Sequence, residues 1–169
     1  LLIIACSQRK RLDDGLLPAI ARYDGGQYRV LRKAKREGYW SNNLDVLILS
    51  AKYGLIEADM QIANYEQRMN RKRASELKPQ IEQDLKAYAR KSAYKEVYID
   101  LGQNYLSATE GLTEFFTDSQ ITFARGRIGE RLGQLKGWLM QKHSYFSRFV
   151  PIIKSYNYRF CCRRYFCGY

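Results

Sequence analysis

Short unbroken apolar runs alternate along the chain with longer stretches in which apolar residues recur every three or four positions. Residues 1–5 (LLIIA) and 44–50 (LDVLILS) read as buried strands, too short for helices and followed at once by polar residues. Residues 96–102 (EVYIDLG) and 120–124 (QITFA) read as two more strands. Asp13-Asp14-Gly15 marks a turn, Pro18 a helix start for AIARY, and Asp24-Gly25-Gly26 a further break. Tyr28, Leu31 and Ala34 then define a helix, basic on its outer face, that stops at Gly38. A longer helix capped at Asn70 carries Ala74, Leu77, Ile81, Leu85, Tyr88 and Ala89 on one side, with a kink expected at Pro79. A short helix around Tyr105 to Phe116 follows, and a last one runs from Ile128 to about Gln141 with Leu132, Leu135, Trp138 and Leu139 on one face. Residues 53–69 (YGLIEADMQIANYEQRM) are too irregular for one element and too long for a tight turn, so an ordered functional loop is expected there.

Strands that alternate with helices imply an α/β fold. The expectation is a three-layer α/β/α sandwich around a mainly parallel sheet of about four strands, because parallel neighbours need helical crossovers. A length of 169 residues, 46% hydrophobic and 27% charged, suits one domain with a real core. No apolar run approaches the roughly 18 residues of a membrane-spanning helix. A cytoplasmic protein without a membrane partner is therefore expected, with any segment preceding Leu1 and the oligomeric state left open.

Charge redraws the domain boundary. Of the formal +12, residues 1–141 and residues 142–169 contribute +6 each, although the second segment is far shorter and contains no acidic residue. Tyr, Phe, Arg and Cys crowd together there in NYRFCCRRYFCGY. The expected organisation is an α/β domain over 1–141 and a basic, aromatic tail over 142–169 outside the core. The other reading of such a tail is one that stacks on bases and pairs with phosphates. Cys161, Cys162 and Cys167 lack common zinc spacing, and Cys6 stands alone in the main domain, so neither a metal, a cofactor nor a disulfide framework is expected.

In open parallel sheets the ligand lies outside the carboxyl ends of the strands. The first strand delivers Cys6, Ser7, Gln8 and Lys10 there, and the second delivers Ser50, Lys52, Tyr53 and Gly54. The third ends in Gly102, Gln103, Asn104 and Tyr105, and the fourth in Arg125, Gly126, Arg127 and Gly129. None ends in paired carboxylates, so the rim suits an anionic or hydrogen-bonding ligand such as a phosphate or a nucleobase. Lys52 reads as a phosphate ligand, a proton donor or an imine-forming amine, against the plain alternative of a solvated lysine; Lys10 holds the matching place on another strand. Within Tyr65-Glu66-Gln67-Arg68-Met69, Glu66 reads as a general acid or base, or as the partner of a nearby cation. Gly126 to Gly129 reads as a tight turn more readily than as a phosphate loop, and Asp100 as a buried acceptor. The one histidine, His143, begins the tail, which disfavours a Cys-His or Ser-His-Asp mechanism around Cys6.

The first strand ending A-C-S-x-x-K, the second ending L-S-A-K-Y-G-L-I and the downstream Y-E-x-R-M resemble a bacterial and phage family of uncharacterised proteins. That family is related to the peroxide-stress protein YaaA and, more remotely, to the nucleobase-processing domain of archaeosine synthase. The resemblance extends from Leu1 to about Leu139. It implies a fold similar to uracil-DNA glycosylases and a pocket around Cys6, Ser7, Lys10, Ser50, Lys52, Tyr53, Gly54, Tyr65, Glu66 and Arg68. The functional expectation is a nucleic-acid or nucleotide-binding domain, with glycosylase-like chemistry or DNA protection under oxidative stress as its extensions. Lys52 and Glu66 are the catalytic candidates; Gly102, Tyr105 and Arg127 join the ligand-binding set. The alternatives are an enzyme acting on a small anionic metabolite and a non-catalytic binding module.

Overall fold

Continuous burial on both faces explains the sheet's central strands. The computed structural model describes residues 1–147. In it β1 (Leu2–Ala5) and β3 (Val46–Ser50) are buried along their whole length. They pair in parallel, Leu2 opposite Val46 and Ala5 opposite Leu49. On its other side β1 pairs in parallel with β6 (Glu96–Asp100), which pairs in parallel with β7 (Gln120–Phe123) at one edge. The sheet is completed at the opposite edge by β4 (Gly54–Glu57), antiparallel to β3, giving the order β4-β3-β1-β6-β7.

The sheet has five strands where about four are expected. β4 lies inside the stretch read as a loop, and residues 51–53 form a tight connection that returns the chain alongside β3 with Ser50 opposite Gly54. Gly54 has φ +76°, where a side chain is strained, and this left-handed residue closes the three-residue turn. The same stretch supplies β5 (Gln61–Ile62), which pairs antiparallel with β2 (Leu17–Pro18) as a separate two-stranded ribbon.

Alternate side chains of the central strands enter two cores. Leu2, Ile4, Val46 and Ile48 pack with Tyr23, Tyr28, Leu31, Leu135 and Leu139. These come from α1 (Ala19–Arg22) and the residue after it, α2 (Gly26–Arg36) and α6 (Ile128–Ser147). Ile3, Ala5, Leu47 and Leu49 pack with Ala74, Leu77, Ile81 and Leu85 of α3 (Arg71–Lys91), beside Leu112 of α5 (Leu112–Phe115). The three layers are those expected from the alternation of elements. The single short helix expected around Tyr105 to Phe116 is instead broken into α4 (Gln103–Leu106), a turn of 3-10 helix at Ser107–Thr109, and α5.

Helix ends follow local chemistry. Asn70 caps α3 by accepting from the Arg73 N–H at 2.8 Å, and Pro79 lies within the helix without ending it. At the end of α2, the Tyr39 N–H reaches the Ala34 carbonyl at 2.8 Å and the Gly38 N–H reaches Lys35 at 3.3 Å, with Gly38 at φ +79°. This pair of bonds satisfies carbonyls that the helix leaves open. α6 continues to Ser147, so the boundary expected after Gln141 falls within a helix. The tail cysteines lie outside the described residues. No helix among the described residues is long and apolar enough to cross a membrane.

Candidate functional site

Because β1 and β3 are parallel neighbours, their polar exits emerge side by side. The Cys6 N–H donates to the Leu49 carbonyl at 2.9 Å, which extends the ladder by one residue and sets Cys6 next to Ser50. Ser50 is fully buried, and its Oγ accepts the backbone N–H groups of Lys52 and Tyr53, both at 3.2 Å. That turn fixes where Lys52 and Tyr53 leave the strand.

Two tyrosines from distant segments complete a ring of hydroxyls around Ser50. Tyr23 donates to Ser50 Oγ at 3.3 Å, Ser50 Oγ lies 2.9 Å from the Tyr65 hydroxyl, and the Tyr23 and Tyr65 hydroxyls are 2.6 Å apart. With Tyr23 donating to Ser50, all three contacts have a proton only if Ser50 donates to Tyr65 and Tyr65 to Tyr23. Burial pushes the Tyr23 phenol up to about 12, an effect that the nearby Cys6 strengthens. Burial and then Cys6 also hold Tyr65 and Tyr28 well above the ordinary phenol value. Tyr105 is raised by the same two causes, with its hydroxyl 3.2 Å from Cys6 Sγ. The floor of the site is thus a set of neutral phenols around a serine.

Two ammonium groups stand over this floor. Lys10 Nζ is 4.3 Å from the centroid of the Tyr65 ring and 6.0 Å from that of Tyr23. Lys52 Nζ is 5.4 Å from the same Tyr65 ring and 5.1 Å from Tyr53. Tyr53 and Tyr65 meet edge to face with centroids 5.3 Å apart. Lys10 is anchored by a backbone bridge to Tyr23, and Lys52 is exposed. Among the described residues neither lysine pairs with a carboxylate. The approach to Lys10 is braced by Arg22, fully buried, which donates to the carbonyls of Arg11 and Asp13 at 2.8 Å and of Gly15 at 2.5 Å.

Gly25 brings the start of α2 to the same place. A Cβ at Gly25 would lie 2.7 Å from Ser7 Oγ, so a side chain there collides with the end of β1. No side chain caps this helix, which leaves its first N–H groups beside Ser7. Asp24, just before it, collects Arg9 at 3.0 Å, Arg29 at 3.5 Å and Arg32. Desolvation works to raise the Asp24 carboxyl, and the hydrogen bonds and charges of Arg29 and Arg32 outweigh it, leaving it below its ordinary value. One carboxylate among three guanidinium groups leaves this rim positive, although less so than the bare sequence of α2 implies.

Asp100 ends β6 as a buried acceptor, as its position in the strand suggests. Arg131 of α6 bonds its Oδ1, through Nε at 2.7 Å and through Nη2. Gln27 Nε2 reaches Oδ2 at 2.6 Å and the Asp100 carbonyl at 2.9 Å. This lock joins α2, β6 and α6 and cancels the one carboxylate at the strand ends.

Not every candidate joins the cluster. Glu66 and Arg68 are exposed, and among the described residues no hydrogen bond or ion pair ties either to the lysines. Gly102 starts α4, its carbonyl accepting from Tyr105 at 2.8 Å, and so aims Tyr105 at Cys6. Gly54 serves the hairpin, with Gln80 packed against it. The Arg127 N–H is taken by Glu130 Oε2 at 2.5 Å and Gly126 has φ +88°, so Gly126–Gly129 is a self-capped turn whose N–H is already occupied by a carboxylate. Tyr23, Gly25, Gln27 and Arg131 are the site residues that sequence reasoning did not select. The glycine pair directly before a basic helix was the signal available for Gly25.

Residues 1–137 match a family of unknown function, DUF6884, and the chain belongs to that family. No curated protein and no solved structure matches the chain.

Proposed function

We propose that this member of the family binds a phosphate-bearing nucleobase ligand, a nucleotide or a nucleic-acid strand, at the carboxyl ends of β1 and β3. The observation that carries the reading is the convergence of Lys10 and Lys52 on the Tyr65 ring with no carboxylate paired to either among the described residues. Two ammonium groups without counter-ions attract a phosphate as point charges, and the uncapped start of α2 beside Ser7 adds N–H donors and a positive helix end. The half-exposed ring of Tyr53 offers a face for a base. The raised phenols keep their protons at neutral pH, so the floor donates hydrogen bonds without adding negative charge.

Binding is better supported than base excision. Glu66, the candidate acid or base, is exposed, and among the described residues no hydrogen bond or ion pair ties it to the lysines. An imine at Lys52 remains the chemical version of the proposal, and a link to DNA protection under oxidative stress follows from the sequence resemblance to the YaaA group alone. Fluorescent single- and double-stranded oligonucleotides, titrated at two salt concentrations, test the reading together with a thermal-shift panel of nucleobases, nucleotides and sugar phosphates. The expected result is binding that weakens with salt, with nucleotides raising Tm more than sugar phosphates do. Salt-independent oligonucleotide data and a shift only with sugar phosphates would favour the metabolite enzyme instead.

A further inference from the structure

The antiparallel return of β4 creates a second concavity at the opposite end of the sheet, where β3 begins. Ala58 N–H donates to the Val46 carbonyl at 3.1 Å, so the segment Glu57–Asp59 lies against Asp45 and Val46. The last turn of α3 adds Tyr88 and Lys91, the following loop adds Tyr94, and the segment after α2 adds Trp40 and Leu44. Together they enclose a cavity of about 280 Å³. Its walls hold three aromatic rings and three carboxylates, Asp45, Glu57 and Asp59, against one lysine, in a chain whose formal charge is +12. The sign of the charge is reversed here relative to the rest of the molecule.

Two of the carboxylates are oriented by phenol donors. The Tyr88 hydroxyl donates to Glu57 Oε1 at 2.8 Å and the Tyr94 hydroxyl to Asp45 Oδ2 at 2.8 Å. Burial, followed by these hydrogen bonds to anions, raises both phenols, Tyr94 to about 12, so they remain donors. Each carboxylate keeps further lone pairs for a ligand. The chain's own Lys91 already samples the arrangement: its Nζ is 3.9 Å from Glu57 Oε1 and 5.9 Å from the Tyr88 ring centroid, while its side chain is 71% exposed. A cation that sits at the mouth, over a ring and beside a carboxylate, shows which chemistry the cavity accepts. The carbonyl end of α3 adds a negative helix terminus from the same side.

We infer that this cavity is a binding site for an organic cation, an alkylammonium or guanidinium group held between Trp40, Tyr88 and Tyr94 and paired with Asp45 and Glu57. The volume suits a group of that size rather than a whole nucleotide. Aromatic faces with nearby carboxylates favour a weakly hydrated cation over a metal ion, and among the described residues no group of three metal-ligating side chains has metal-binding geometry. The site lies at the other end of β3 from Ser50 and is independent of the strand-end cluster.

Calorimetric titration of the full chain with agmatine, with acetyl-arginine amide and with choline tests the inference, using 3,3-dimethylbutan-1-ol as the uncharged isostere of choline. The expected result is saturable binding of the cations and none of the alcohol. Asp45→Asn with Glu57→Gln should weaken binding by about tenfold or more, which is about 1.4 kcal/mol. Lys91→Ala should tighten it severalfold by removing the internal competitor, a gain that a merely structural lysine does not produce. Agmatine binding as tightly as the capped arginine shows that the guanidinium group alone is recognised, and a preference for the capped arginine assigns a basic peptide. Equal binding of choline and its isostere, no saturable binding of any cation, or Lys91→Ala leaving affinity unchanged or lower would overturn it.

Discussion

Lys10 Nζ lies 4.3 Å from the centre of the Tyr65 ring, although the two residues are 55 positions apart in the sequence. The ring is held edge-on by the hydroxyl contacts to Tyr23 and Ser50, so the cation rests on a platform that cannot tilt without breaking them.

Tyr65→Phe keeps the ring and removes the hydroxyl contacts to Ser50 and Tyr23, leaving the direct Tyr23–Ser50 hydrogen bond. The expected cost is about 1–3 kcal/mol, since buried polar partners lose a hydrogen bond, with ligand affinity nearly retained. Tyr65→Ala removes the platform as well and should abolish binding. Denaturant unfolding combined with oligonucleotide titration checks both, and equal loss of binding in the two variants would remove the ring from the proposal.

Lys10→Ala and Lys52→Ala should each weaken oligonucleotide binding and reduce the salt slope by about 1, while Tm stays nearly constant. Lys52→Arg keeps the charge and should restore affinity. Borohydride added with abasic DNA separates binding from chemistry: binding alone leaves no covalent adduct, whereas an adduct lost in Lys52→Arg assigns imine formation to the amine.

The phenols of the floor make stability fall in alkali. Tyr23 ionises at about 12 in the folded chain against an ordinary value of 10, and Tyr28, Tyr65 and Tyr105 are raised as well. Below pH 10 both folded and unfolded chains keep these protons and their contribution is intact. Between pH 10 and 12 the unfolded chain releases protons that the folded chain retains, so stability declines as pH rises. Ultraviolet titration of the tyrosines alongside circular dichroism should show a normal group first and a second group that ionises only as the fold is lost.

Arg131→Met leaves the Asp100 carboxylate buried with Gln27 as its remaining side-chain donor. A loss of about 3–5 kcal/mol is expected for breaking a buried pair from one side. Asp100→Leu in the same chain should recover much of it, because an apolar pair replaces an uncompensated charge. Chemical denaturation of the two variants measures the difference, and an additive loss would show that the lock acts through packing alone.

The parts legible in the sequence are those whose burial is uniform. β1, β3 and β6 read as apolar runs because both faces are covered, and the convergence of Cys6 with Ser50 follows from two strands being parallel neighbours. β4 was hidden because Gly54-Leu55-Ile56 directly continues a buried strand, and the turn that separates them contains neither proline nor asparagine. The apolar pair after that glycine was the remaining clue to a hairpin. Tyr23 looked like an ordinary core residue at the end of a short helix; its role depends on Tyr65, which only the β2–β5 ribbon brings near. The partners of Asp100 lie on two helices remote in sequence, and no local pattern encodes them. Glu66 failed to join the cluster because its neighbour Tyr65 takes the inward position.

The place of β1 in the sheet also sets a timetable for synthesis. Its partners begin at Val46 and Glu96, so both edges of β1 are covered only after β6 has been made. At ~5–20 residues per second, the ribosome takes roughly 5–20 s to deliver β6 after β1. Throughout that interval LLIIA has at most one edge covered and is open to association with other nascent chains or a holding chaperone. A translation pause before β6 has left the ribosome prolongs the exposure.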